Sequence, residues 1–139
     1  MASGSEIPIL DVSAVAGGDP DGIGDLADQI GEACRSIGFF YVTGHGIDPI
    51  TTQHTFDMAK AFFALPLERK MAVTMTRSPH NLGYMPFEGE HLDPMKPGDL
   101  KETFNLGLEL AADHPDVRAG KPFRGVNQWP ELPGFRNAM

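Results

Sequence analysis

The chain is poor in cysteine and in basic residues, and it lacks any long apolar run; each shortage removes a class of protein from consideration. With Cys34 alone, neither an internal disulfide nor a zinc site built on cysteine pairs can form. Its place in an apolar helical pattern suits a small buried hydrophobe in a reducing cytosol, the other reading being a reactive thiol. Eleven Lys and Arg against 19 Asp and Glu give a net charge of -8. That field repels phosphate backbones and anionic lipid surfaces, so neither nucleic acid nor membrane is expected as a partner. Met1 to Glu6 lack the basic and apolar regions of a signal peptide, and no apolar stretch approaches spanning length, which points to a cytoplasmic protein. Internal repeats, low-complexity tracts, a nucleophile elbow, a phosphate loop and a dinucleotide fingerprint are also missing. A phosphate cradle follows a strand and opens directly into a helix, which the glycines at 17, 18, 22 and 24 do not do.

What is present describes a folding chain. Hydrophobic residues at 41% and charged residues at 22% are ordinary for a globular protein, and 139 residues fit one domain spanning 1–139. Twelve prolines and 16 glycines interrupt it with turns, so the expected class is α+β. Ile7 to Leu10, ending at Asp11 and containing Pro8, reads as an edge strand. Leu26, Ile30, Cys34 and Ile37 recur at helical steps after Ile23, and Gly38 stands where a left-handed cap would end the helix. Phe39 to Val42 is aromatic or β-branched and reads as a buried strand, completing a strand, helix, strand unit. Asp48-Pro49 starts a second helix that runs to about Leu65, and Pro66 restarts a short one through Lys70. Gly83 to Phe87 and Thr103 to Leu108 read as strands flanking a loop with Pro94, Pro97 and Gly98. Ala111 to Pro133 should be an irregular connection, and 133–139 the start of a helix cut short, which implies a truncated protein or else a frayed natural terminus.

Side chains that could carry chemistry are few. Two histidines and a carboxylate on one side of a metal make a facial iron site, and H-x-D on a strand puts both ligands on one face. His91-Leu92-Asp93 and His114-Pro115-Asp116 match that pattern. Both lie in proline-rich loops without the alternating apolar flanks of a rigid strand, and neither has a convincing third ligand, so neither is expected to hold iron. His45, between Gly44 and Gly46, is either an acid or base in a sharp turn or, as we prefer, a residue bonded to neighbouring backbone that fixes the turn. His54 and His80 have no ligand at a useful spacing. Glu68, Arg69 and Lys70 read as a solvated helix face, and Met58, Met71, Met75 and Met85 as fillers of core gaps, an adaptable pocket being the alternative.

The order of segments adds what spacing cannot. Ile7-Pro8-Ile9-Leu10-Asp11, Gly38 through Ile47 (GFFYVTGHGI) and Phe62 through Lys70 (FFALPLERK) are followed by Gly83-Tyr84, Lys101-Glu102-Thr103-Phe104 and Asn127-Gln128-Trp129-Pro130. In that order the chain resembles the amino-terminal domain of the isopenicillin N synthase-like non-haem iron(II), 2-oxoglutarate-dependent oxygenases. The resemblance implies a helix and strand region that packs on a double-stranded β-helix, or jelly-roll, barrel carrying the metal ligands. In the family those ligands follow the N-Q-W-P segment, so both H-x-D matches here stand in the wrong place and the barrel is expected to be absent from this chain. Fe(II) and 2-oxoglutarate are therefore expected in a full-length parent and not in this piece, some relatives dispensing with 2-oxoglutarate.

By the same resemblance, the segment around Gly83-Tyr84 borders the active-site mouth and makes Asn81, Tyr84 and Met85 the candidate substrate-binding residues. Tyr84 is either an aromatic wall offering its hydroxyl or a packing residue with its hydroxyl in water. Asn81 stands where some relatives place a basic residue that grips a substrate carboxylate, and an amide argues against that grip. The expected function is scaffold and pocket wall of an oxygenase acting on a small organic substrate, inactive by itself. The alternative is a free-standing domain that binds a partner through the surface a barrel would cover. In either case the exposed apolar surface should promote self-association.

Overall fold

The computed structural model describes residues 6–91, 93 and 95–139, and these separate into two compact units, residues 1–49 and 50–139. Residues 1–5, read above as lacking a signal peptide, lie outside the described residues, as do Leu92 of the first H-x-D match and Pro94 of the loop.

In the first unit β1 (Ile9–Asp11) and β2 (Tyr41–Thr43) pair in parallel, with Leu10 opposite Val42. Parallel neighbours need a crossover, supplied by α1 (Ser13–Gly17) and the longer α2 (Pro20–Ser36). The helix α2 starts where Asp19 Oδ1 accepts from the Asp21 N–H at 3.2 Å and Pro20 needs no donor. It ends at Gly38, whose φ of +95° and N–H to the Ala33 carbonyl make the expected left-handed cap. The buried stripe of α2 is shifted from the one expected: Leu26 and Ala33 are buried, Ile30 and Ile37 half-buried, and Cys34 exposed. Ile23 and Cys34 sit eleven residues apart, three turns along one line of the helix, and Ile23 is exposed as well. The apolar arc is thus wider than the surface this unit covers. A similar correction applies to Phe39–Val42, expected as a buried strand: Phe39, Tyr41 and Val42 are all exposed, because a described sheet of two strands leaves β2 at an edge with little covering either of its faces. His45 does what its glycine neighbours suggested, Nδ1 accepting from the Ile47 N–H at 3.0 Å.

The second unit takes in α3 (Pro49–Phe63) from Ile50 onward and α4 (Leu67–Met71), followed by one 3-10 turn at Met75–Arg77. An antiparallel pair follows, β3 (Gly83–Met85) with β4 (Thr103–Asn105), shorter than the strands expected but in the expected places. The stretch from Ala111 is irregular apart from the turn α5 (Pro115–Arg118), and α6 (Phe135–Ala138) closes the unit. The core forms around Phe62, which is fully buried, with Val73, Tyr84 and Phe135. Phe62 meets Phe104 edge to face at 4.7 Å and Tyr84 at 5.9 Å, the arrangement that the charge distribution of aromatic rings favours. Met58 and Met71 fill gaps beside them as expected.

Candidate functional site

A β-strand sends alternate side chains to opposite faces, and the β3–β4 hairpin uses this to separate anchoring from exposure. Leu82, Tyr84 and Phe104 turn inward, the last two meeting Phe62. Asn81, Met85, Lys101, Thr103 and Asn105 line a cavity of about 610 Å³ on the other side, together with Met75, Glu90, His91 and Phe123.

The inward face is pinned by a group that the sequence did not reveal. Lys70, expected on a solvated helix face, is buried; its Nζ donates to Glu102 Oε2 at 2.6 Å and to the Phe63 carbonyl at 3.1 Å. Neighbouring Arg69 reaches the Glu131 carbonyl at 2.7 Å. Burial alone would raise the Glu102 pKa, but hydrogen bonds from Lys70 and Tyr84, with the Lys70 charge, outweigh it and hold the carboxyl below 4.5. Tyr84 donates to the same Oε2 at 2.6 Å; burial, that bond and the carboxylate charge push the phenol well above its usual value. Tyr84 therefore follows neither expectation fully: its ring packs in the core, yet its hydroxyl is held by protein.

Of the three residues singled out from the sequence, Asn81 and Met85 line the cavity and Tyr84 stands behind it. Thr103, Asn105, Lys101 and Phe123 were missed. The first two could have been found by applying the period of two to the predicted strand at 103–108, whereas Phe123 carried no local signal. Lys101 is held by Glu90 at 2.8 Å and Asp99 at 2.9 Å, and those two bonds raise its pKa. Behind the hairpin, Gln128 Nε2 donates to the Thr74 and Leu82 carbonyls at 2.9 and 2.6 Å, and Asn127 both accepts from and donates to the Gly107 backbone. The N-Q-W-P segment thus acts as a clamp on the hairpin.

The family model described as non-haem dioxygenase in morphine synthesis N-terminal matches residues 7–132. The chain belongs to this family, the amino-terminal domain of 2-oxoglutarate and Fe(II) oxygenases. The 2-oxoglutarate-Fe(II) type oxidoreductase hxnY of Emericella nidulans is 41% identical over 123 residues, covering 88% of this chain and 35% of that protein. Among solved structures, a 2OG-Fe(II) oxygenase family protein from Caulobacter crescentus superposes with a TM-score of 0.69 at 29% identity, over 96% of this chain and 41% of the other. A full-length Neurospora crassa protein, in complex with α-KG and thymine, gives 0.69 at 27% identity, over 100% and 43%. The chain spans about two fifths of the length of these relatives.

Iron chemistry is what this oxygenase family implies, and the described residues do not fit an iron ion: among them no three His, Cys, Asp or Glu side chains gather as ligands. His91 is exposed, with Nδ1 beside the Lys96 carbonyl at 3.2 Å, while Asp93 Oδ1 accepts from the Met95 N–H at 3.0 Å. His114 is the cap of α5, its Nδ1 accepting from the Asp116 N–H at 3.2 Å, and Asp116 pairs with Lys121. Each H-x-D match is thus used to shape a loop. No described helix is long and apolar enough to cross a membrane.

Proposed function

We propose that this chain is the scaffold and one pocket wall of an Fe(II)/2-oxoglutarate-dependent oxygenase that oxidises a small organic substrate. The metal and the 2-oxo acid would be held by a jelly-roll barrel of the full-length protein. One observation carries the reading: the β3–β4 hairpin is anchored on one face by Phe62 and Glu102 and opens polar side chains on the other into a cavity. A surface so fixed can hold a ligand still while another part of the protein performs the reaction. The small substrate is supported by the Neurospora crassa relative, whose structure is a complex with α-KG and thymine. Asn81 and Met85 would touch substrate, and Tyr84 would position the strand that carries them.

Two proteins test this, the 139-residue chain and the protein in its complete reading frame. The chain alone should neither bind Fe(II) tightly nor release succinate from 2-oxoglutarate, and the complete frame should do both. In the latter, Asn81→Ala should raise the substrate KM about tenfold while substrate-free 2-oxoglutarate turnover stays unchanged, as loss of a binding contact predicts. Tight Fe(II) binding with turnover by the chain alone would overturn the proposal.

A further inference from the structure

We propose that the cavity beside β3–β4 selects a planar, uncharged ligand with both donor and acceptor groups, and rejects carboxylates; this rests on reading the cavity as part of the substrate pocket. Its lining offers two amides and a hydroxyl, from Asn81, Asn105 and Thr103. Asn105 Nδ2 spends one weak bond, 3.4 Å, on the Asn81 carbonyl; among the described residues nothing hydrogen-bonds the side chains of Asn81 or Thr103. An amide presents a donor and an acceptor side by side, which matches a carbonyl flanked by N–H better than it matches a carboxylate, an acceptor only.

Charge points the same way. Lys101 is the cation of this lining, and Glu90 and Asp99 already occupy it, Glu90 itself being part of the wall. Two carboxylates against one ammonium leave that group negative, so an entering carboxylate would meet net repulsion beside Glu90, and the charge of -8 on the chain adds no attraction from a distance.

Backbone conformation supplies an independent sign. The described non-glycine residues with positive φ are Asn81, Glu88 and Phe123, at +57° to +58°. Asn81 and Phe123 line this cavity, and Glu88 adjoins Gly89, which also lines it. Asparagine tolerates that region, but for phenylalanine it is costly, and such strain gathers where a ligand is held. The strained Phe123 stays 65% exposed at the cavity instead of burying its ring. An exposed ring in the same lining as polar side chains and the adaptable thioethers of Met75 and Met85 suits a flat ligand.

The test uses the protein in its complete reading frame and probe pairs that differ by a carboxylate: uracil with orotate, and benzamide with benzoate. Binding is followed through the assigned side-chain amide resonances of Asn81 and Asn105. The uncharged member of each pair should bind about tenfold tighter than its acid and shift both resonances, given the cost of placing a carboxylate beside Glu90. Phe123→Ala should weaken the uncharged probes several-fold, and the comparison within each pair needs no variant to fold. Acids that bind equally or better while shifting Asn81 and Asn105 would sink the selectivity and leave the pocket reading standing. Failure of every probe to shift those resonances would sink both.

Discussion

At the scale of single residues, the second unit holds a nearly buried ion pair, Lys70 and Glu102, whose side chains are 9% and 16% exposed. Removing one partner of such a pair leaves a charge in a poor solvent, whereas replacing both leaves a neutral contact. Glu102→Ala should therefore cost about 3 kcal/mol in urea denaturation, and the pair Lys70→Met with Glu102→Gln should recover most of it. Equal losses in the two proteins would contradict this account. The pH dependence follows from the two shifts. Glu102 has a folded pKa below 4.5, so its contribution is complete above the unfolded value and disappears as pH falls through the lower folded one. Tyr84 is raised above 10.0, so its contribution is complete below that value and is lost as pH climbs towards the folded one. Stability should thus fall at both extremes, and Tyr84→Phe should flatten the alkaline limb and, by removing one of the bonds that hold the Glu102 carboxyl down, make the acid limb shallower as well.

Secondary-structure elements were the most legible level, and one of them shows where legibility stops. Helix α2, the Pro49 start, the restart after Pro66 and both hairpin strands follow from caps, prolines and short aromatic segments bounded by turn residues, which act over a few residues. What covers each face does not, because it depends on residues distant in sequence: Cys34 and Tyr41 look like core and are exposed, while Lys70 looks solvated and is buried. The candidate site divides in the same way. Asn81 and Met85 were found through the Gly-Tyr pair, but the clamp from Gln128, 46 residues from its acceptor at Leu82, had no local trace. Gly83 shows the physical need behind that pair. Its φ is +118°, and a Cβ there would collide with the Val73 carbonyl and the Gln128 amide. Gly83→Ala should cost well over about 1 kcal/mol and loosen the hairpin. Hydrogen exchange at the Tyr84 N–H, which bonds the Val73 carbonyl at 2.8 Å, would report it, and unchanged protection would refute the clamp.

The whole chain carries two opposing tendencies. In the first unit Ile9, Phe39, Tyr41, Val42 and Ile47 are each 43% to 66% exposed, large apolar side chains left in water on and beside one short sheet. On the proposed reading such side chains would meet the barrel of the full-length protein. Against this exposure, the charge of -8 makes copies of the chain repel one another, and that repulsion reaches about 10 Å at 0.1 M salt but only about 3 Å at 1 M. Hydrophobic attraction between exposed rings is not screened in this way. The 139-residue chain should therefore stay closer to monomeric at low ionic strength and associate as salt is added, the reverse of what complementary charges would produce. Static light scattering across a sodium chloride series measures this directly, and a constant monomer mass at every concentration would show that the exposed residues are not adhesive. Substituting Tyr41→Lys and its cross-strand neighbour Ile9→Thr should move the onset to higher salt if the open face of β1 and β2 is the surface responsible, and should leave it unmoved if the contact lies elsewhere.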